Sequence, residues 1–237
     1  MSEKDFASLI NNLLILKKKG FIKSLRNHST GIGYTLETNL GIKENRLSNS
    51  DWGEIELKAM RKNSNSDISL FVIEPFYSTI SNDGELLEKF GYPNINNREI
   101  LSFVQTIKYG VNNKRNWRLG FDTNFEKLVI IKNDEIIGEI KSKLIIEKIN
   151  IKINRVVSIL AEVNETVNGI EEFWFNEAYY HEGCSFTNFR KAIIDGDISL
   201  NPRMRKLPSG QITRNGTAFR IKRTKFDSIF DKSIRLF

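Results

Sequence analysis

Four residues in the first quarter of the chain have the types and spacing to do chemistry together: Glu37, Asp51, Glu56 and Lys58. Glu56 and Lys58 flank Leu57 in the run Ile55-Glu56-Leu57-Lys58-Ala59-Met60, which reads as a strand. Side chains alternate across a strand, so Glu56 and Lys58 share one face while Ile55 and Leu57 point to the other. An acid and a lysine on one face, joined by Asp51 from the preceding turn, make a compact site for a divalent cation and an activated water. Oxygen donors of this kind suit Mg²⁺ rather than zinc. Phosphodiester hydrolysis asks three things of a protein: ligands for a metal that offsets charge on the phosphate, a route to hydroxide near neutral pH, and a water held in line with the leaving oxygen. Asp51, Glu56 and the backbone carbonyl of Leu57 are the candidate metal ligands. Lys58 is the candidate for orienting the water and stabilising charge on the scissile phosphate. Glu37, arriving on a preceding helix, is placed to ligate a second ion or hold a metal-bound water.

Without context, an acid–lysine pair on a strand is most often a solvated pair of neighbours. Glu54 shares the parity of Glu56 and is the natural decoy; no role is assigned to it.

The surrounding elements must position these groups. Residues 4–18 predict an amphipathic helix through Phe6, Leu9, Ile10, Leu13, Leu14 and Leu16, with Lys17, Lys18 and Lys19 at the negative end of its dipole and Gly20 as the stop. Residues 35–40 predict a short helix carrying Glu37, and 45–50 a polar turn. Residues 53–60 and 68–73 read as strands joined in a hairpin through 62–67. A helix over 84–90 ends at Gly91. Several short strands follow over 117–140, with Asn133-Asp134 as a turn. Residues 156–163 read as a buried strand and 172–180 as an aromatic one. A helix over 187–194 with a Thr187 cap closes at Gly196, and 225–234 reads as a last helix. Mixed strands and helices indicate α/β or α+β.

The chain has 237 residues, of which 40% are hydrophobic and 27% charged, ample for a core and ordinary for a soluble protein. There is no repeat, and the four prolines, at 75, 93, 202 and 208, form no linker, so one domain over 1–237 is expected. No apolar run approaches the ~18–20 residues that span a bilayer, and the N-terminus lacks a signal-peptide design. A single cysteine, Cys184, forms no internal disulfide, and the setting predicted is a reducing cytoplasm.

The formal charge of +7 favours a polyanionic partner, and the basic residues are unevenly spread. Residues 201–225 hold Arg203, Arg205, Lys206, Arg214, Arg220, Lys222, Arg223 and Lys225 with no acid among them. Arginine takes guanine edges bidentately while lysine takes phosphate as a point charge. Together with Gln211, Thr213 and Asn215, the segment has side chains for both jobs. Lys222, Arg223 and Lys225 are read as a solvated face. Lys108, Lys114, Arg115 and Arg118 form a second basic cluster, equally a phosphate clamp or a surface loop. The other candidates are bland. His28 reads as an exposed loop residue, and His181 as a strand end. Cys184 reads as a buried small residue, and Phe173, Trp174 and Phe175 as core. Gly31-x-Gly33 is too short for a nucleotide fingerprint.

The pattern Asp51…Glu56-Leu57-Lys58 resembles the PD-(D/E)xK nuclease signature, with Ser50 where proline usually precedes the aspartate. The longer block Gly33-Tyr34-Thr35-Leu36-Glu37-Thr38-Asn39-Leu40-Gly41, followed by Asp51 to Lys58, resembles the MvaI/BcnI family of type II restriction endonucleases, relatives of the mismatch-repair nickase MutH. The likeness continues through Ala59-Met60-Arg61, Ser69-Leu70-Phe71, Lys89-Phe90-Gly91-Tyr92 and Gly216-Thr217-Ala218-Phe219-Arg220-Ile221, and so spans nearly the whole chain.

That resemblance implies a restriction-endonuclease-like core with two lobes around a DNA cleft. It implies a monomeric, Mg²⁺-dependent enzyme, with Mn²⁺ as a substitute, that cuts the two strands of a short, nearly palindromic duplex one at a time. A cognate DNA methyltransferase would protect the same sites. Asp51, Glu56 and Lys58 take the catalytic positions and Glu37 the additional acidic one. Arg203 and Arg220 become the first candidates for base contacts, followed by Arg205, Arg214 and Asn215. Val72 and Ala218 stand where some relatives carry histidines, which leaves the recognition sequence open, including the CC–GG frame that many relatives read. The competing readings are a MutH-like repair nickase, a DNA-binding module without catalysis, and a basic structural protein. Cutting of naked plasmid, the effect of Mg²⁺ and the salt dependence of DNA binding separate them.

Overall fold

The computed structural model describes residues 3–42, 50–77, 80–165 and 169–237. In chain order the elements are α1 (Glu3–Lys18), β1 (Ile22–Lys23), α2 (Gly31–Asn39), β2 (Glu56–Arg61), β3 (Ile68–Val72), β4 (Phe76–Tyr77), α3 (Asp83–Phe90), β5 (Tyr92–Pro93), β6 (Leu101–Val104), β7 (Trp117–Phe121), β8 (Lys127–Lys132), β9 (Glu135–Lys141), α4 (Ser142–Lys152), β10 (Arg155–Glu165), β11 (Glu171–Glu182), α5 (Phe186–Ile194), β12 (Ile198–Lys206), β13 (Ile212–Ile221) and β14 (Lys232–Arg235). The class is mixed α+β, and the chain divides into two compact units, each assembled from separate stretches of sequence.

The first unit comprises Met1–Ser66, Ile149–Ser185 and Phe230–Phe237. Its sheet runs β1-β11-β10-β2, with β14 added against β11. All pairs are antiparallel except β10 with β2, which is parallel, Val156 facing Glu56 and Ser158 facing Lys58. Leu9, Leu13 and Leu16 of α1, one per helical turn, bury completely or nearly so against Ile55, Leu57, Val157, Ile159, Phe173 and Phe175. α2 adds Ile32 and Leu36 to the same cluster. Each such side chain contributes about 1.5–3 kcal/mol on burial, and Leu57 is thereby fixed to the core face. With Leu57 committed inward, the pleat sends Glu56 and Lys58 to the other face.

The second unit comprises Asp67–Lys148 and Phe186–Ile229. It holds an antiparallel sheet in the order β3-β13-β12-β6-β5 and a four-stranded antiparallel sheet in the order β4-β9-β8-β7. Phe71, Phe189 and Phe219 pack in a triangle with ring centroids 5.2–5.5 Å apart, and Trp117 meets Phe90 and Phe103 edge-on. The β8–β9 turn is Asn133-Asp134, both at positive φ (49° and 69°), as a two-residue hairpin requires. α3 is capped by Asn82, whose side chain accepts the Glu85 N–H at 3.0 Å.

Four local expectations are corrected. Residues 53–60 and 68–73 form no hairpin: β2 pairs with β10 and β3 with β13, in different sheets. The helix carrying Glu37 begins earlier than 35, at Gly31, where a Cβ would lie 2.2 Å from the Arg26 carbonyl, so that only glycine lets the first turn pack against that backbone. Residues 225–234 are not a helix but short 3₁₀ turns followed by β14, which completes the β11 edge. The helix over 187–194 begins at Phe186, so Thr187 lies within its first turn. Within the expected turn over 45–50, residues 45–49 lie outside the described residues.

Candidate active site and nucleic-acid interface

Asp51 is delivered by a tight reversal. Trp52 and Ile55 exchange backbone hydrogen bonds, both 2.9 Å, around Gly53 at φ +59°. That conformation suits glycine because it costs other L-residues about 1–2 kcal/mol. The reversal lays Asp51 beside β2, where its Oδ2 accepts the Leu57 N–H at 2.8 Å. β2 is an edge strand. The amide of Leu57 therefore points away from β10 to the open edge, and its carbonyl points to the same side. Asp51 and the Leu57 carbonyl thus share the open edge of β2.

Glu56 is almost fully buried, at 6% exposure, and both of its oxygens are engaged. Lys58 Nζ donates to Oε1 at 2.8 Å, and Lys152 Nζ donates to Oε2 at 3.0 Å. Lys152 is a functional candidate that sequence reasoning missed. It closes α4, whose isoleucine-rich run Leu144 to Ile153 offers β-branched residues that favour strands. A lysine in a last helical turn also has an ordinary explanation in the helix dipole. A second tie joins the same places: Ser50 Oγ donates to the Ile151 carbonyl at 2.6 Å, holding the Asp51 reversal against the end of α4.

Burial, and then the Glu56 charge, raise the Asp51 carboxyl above the usual aspartate range; the Leu57 N–H, Lys58 and Lys152 oppose the shift. Folding therefore disfavours the ionised form, so at neutral pH the Asp51 charge subtracts from stability. Asp51→Asn keeps an acceptor for the Leu57 amide and removes that charge. The metal-free variant is expected to melt above the wild type at pH 7, with the gap closing as pH falls from above the raised pKa to below the ordinary aspartate value. Calorimetric melting across that range checks this; a lower midpoint for the variant at pH 7 contradicts it.

Among the described residues, no three acid, histidine or cysteine side chains converge closely enough to hold a metal ion. Glu37 is half-buried on α2, which packs against β2, and is not gathered with Asp51 and Glu56 into such a group. The chemistry of the set that does converge, two carboxylates and a carbonyl, is all oxygen and fits a hard divalent cation. Glu54 lies in the reversal, exposed, and pairs with Arg155.

In the second unit, β12 buries Met204 and leaves Arg203 and Arg205 exposed on either side of it. Arg220 of β13 is half-buried; its Nη2 donates to the Asp67 carbonyl at 2.6 Å, while its Nε is buried with no hydrogen-bond partner among the described residues. Burial and then the Arg203 charge lower the Arg220 pKa. Two guanidiniums thus sit close enough to repel, one with a donor unmet, which is the arrangement an acceptor-rich ligand completes. Arg214 is placed differently: it pairs with Asp83 at the start of α3. Asn215 is exposed beside Gly216, where φ is +74° and a Cβ would lie 2.4 Å from Val72 Cγ1. Lys222 pairs with Asp197 at 2.8 Å and Lys206 with Glu88 at 2.9 Å. In the second basic cluster, Arg115 stacks on Tyr92 and Arg118 pairs with Asp134.

The bland candidates find structural places. His181 is buried between Ser158 and Ser233, at 2.7 and 2.9 Å. Phe173 and Phe175 are core, and the Trp174 indole donates to the Lys17 carbonyl. Burial, then Asp231, push the Cys184 thiol up to about 12. Its alkylation by iodoacetamide at pH 8 is expected to be about 10³-fold slower in the native than in the unfolded chain. Equal rates, measured by mass spectrometry, would contradict that.

The profile of the MvaI/BcnI restriction endonuclease family matches residues 10–230. The chain belongs to that family. It is a type II site-specific DNA endonuclease, a hydrolase of a class that generally uses divalent metal ions. The fold is similar to that of the restriction endonuclease MvaI in its complex with cognate DNA, with a TM-score of 0.85 at 20% identity over the whole of both chains. It is also similar to MvaI in the absence of DNA, with a TM-score of 0.56 at 21% identity over the whole of this chain and 99% of the other. No curated protein matches. No helix among the described residues is long and apolar enough to cross a membrane.

Proposed function

We propose that this endonuclease recognises a short, nearly palindromic duplex site and hydrolyses both strands by sequential nicking in the presence of Mg²⁺, leaving 5′-phosphate and 3′-hydroxyl ends. The observation that carries the reading is the convergence of Asp51, Glu56 and Lys58 along one stretch of β2. Asp51, Glu56 and the Leu57 carbonyl would hold the ion, and Mn²⁺ would serve in its place. The bound ion supplies charge neutralisation at the phosphate and acidifies a water. Lys58 orients that water and stabilises the developing charge, its ammonium already localised by Glu56. Glu37, on α2, would be the additional acidic residue, ligating a second ion or holding a water.

In the second unit Arg203 and Arg220 read base edges, and Arg205 and Asn215 support them. Arg214 joins them once released from Asp83. The enzyme acts in the cytoplasm as a monomer, and a cognate methyltransferase marks the same sites without a required complex.

Digestion of a sequenced plasmid with purified protein tests this directly. Mg²⁺ should yield an open-circular intermediate and then fixed linear fragments whose ends ligate without phosphorylation, and EDTA should stop the reaction. Cleavage only after addition of repair proteins would favour the nickase reading instead. Random fragments, or none, would overturn both.

A further inference from the structure

The role of Lys152 is not contained in that reading. A buried carboxylate has two oxygens to offer, and here each carries an ammonium from a different element: Lys58 from β2 and Lys152 from the end of α4. Both lysine side chains are only 18% exposed. The four groups Asp51, Glu56, Lys58 and Lys152 sum to zero charge. A dication entering such a set meets two ammoniums beside its ligands, and must take a Glu56 oxygen from one of them. Phosphates of a duplex can offset exactly this excess, because each offers anionic oxygens that a displaced ammonium can pair with.

We propose that Lys152 is a positioning residue that couples metal loading to DNA binding. In the free enzyme its ammonium holds Glu56 Oε2 in place of the metal, so divalent cations bind weakly. When duplex DNA arrives, Lys152 moves to a backbone phosphate and the oxygen is released to the ion. Ser50, bonded to the Ile151 carbonyl, keeps the end of α4 beside the Asp51 reversal, so that the exchange needs only the lysine side chain to move. Coupling between two ligands is reciprocal, so metal must tighten DNA binding by the same factor that DNA tightens metal binding. Such a device keeps the metal-loaded site from forming away from its substrate. The inference rests on Asp51 and Glu56 being the metal ligands.

The test uses the full chain, Mn²⁺ as the metal and a mixed-sequence duplex oligonucleotide, with calorimetric titration as the readout and Ca²⁺ replacing Mn²⁺ wherever DNA is present, to prevent cleavage. Lys152→Met should bind Mn²⁺ without DNA more tightly than the wild type, by a factor in the range of about 5–150 typical of site coupling, and the duplex should then enhance Ca²⁺ binding less. Lys152→Arg, which retains the charge, should keep the weak wild-type affinity. Lys152→Gln provides the same comparison if the methionine variant does not fold. Unchanged or weaker Mn²⁺ binding in the uncharged variants, with Glu56→Gln still lowering it, overturns the proposal and leaves Lys152 a structural partner of Glu56. If Glu56→Gln leaves Mn²⁺ binding intact, the ligand assignment itself has failed.

Discussion

Replacing Lys58 with alanine is expected to abolish strand cleavage while leaving duplex binding almost unchanged. The ammonium sits 2.8 Å from Glu56 Oε1, on the strand that also carries the candidate Leu57 carbonyl and next to the Asp51 reversal. It is localised before any substrate arrives, so little reorganisation is needed during reaction. Removing a positioned acid–base or charge-stabilising group costs about 10²–10⁴-fold in rate, and turnover should fall on the order of 10³-fold or more. Folding should survive, because Lys152 still pairs with Glu56 and no buried carboxylate is left alone. Lys58→Arg should not rescue, since a planar guanidinium does not reproduce a compact ammonium at the same point. The measurements are single-turnover cleavage, duplex affinity in Ca²⁺ and the slope of affinity against salt, which should fall by at most about one unit for one lost phosphate contact. Cleavage at the wild-type rate would refute the assignment of Lys58.

Arg220→Ala is expected to relax site discrimination more than it weakens binding in general. The guanidinium is half-buried, its Nη2 tied to the Asp67 carbonyl and its Nε unsatisfied among the described residues. One tie limits its motion, so a base edge meets a side chain already ordered. Loss of a bidentate base contact costs about 1–3 kcal/mol, or roughly 5–150-fold, at one position of the site. Binding to random duplex should change by less than about threefold at fixed salt. Competition titrations of the cognate duplex against single-base variants and random DNA would show this. An equal loss on specific and random duplexes would make Arg220 a phosphate contact. Arg214 offers a contrast, because its ion pair with Asp83 must open before it can reach DNA. Asp83→Asn is therefore a useful companion variant, freeing Arg214 without altering Arg220.

The reading of Glu56 and Lys58 from sequence depended on a strand's alternation, a local property that the structure retains. The same holds for α1, where three leucines at helical spacing bury together, and for the Asn133-Asp134 turn, whose two residues tolerate positive φ. Local pattern failed where a segment's conformation is chosen by what it packs against. The run 68–72 looks like the partner of 56–61 because a short polar link separates them, yet each finds its hydrogen bonds in a different sheet. Residues 232–235 carry no strong period and become a strand because β11 presents an edge to be filled. Glu37 was placed by its local pattern on a helix before the strand, and it does lie half-buried on α2; which groups it faces is a matter of how α2 packs, and it is outside any three-residue cluster among the described residues.

The amino-acid sequence by itself determined the strand that bears Glu56 and Lys58 and the basic segment of β12 and β13, and, through the resemblance that runs along nearly the whole chain, the class of chemistry. The strand and the basic segment depend on residues within a few positions of one another, where periodicity and charge are sufficient guides. Only the tertiary structure decided that Glu56 has a second lysine, that Arg214 is held by Asp83, and that Arg220 is tied to the Asp67 carbonyl. Those facts depend on groups 96, 131 and 153 positions apart in the chain. Contacts at such separation are set by which faces must leave water together, and no local pattern encodes that choice.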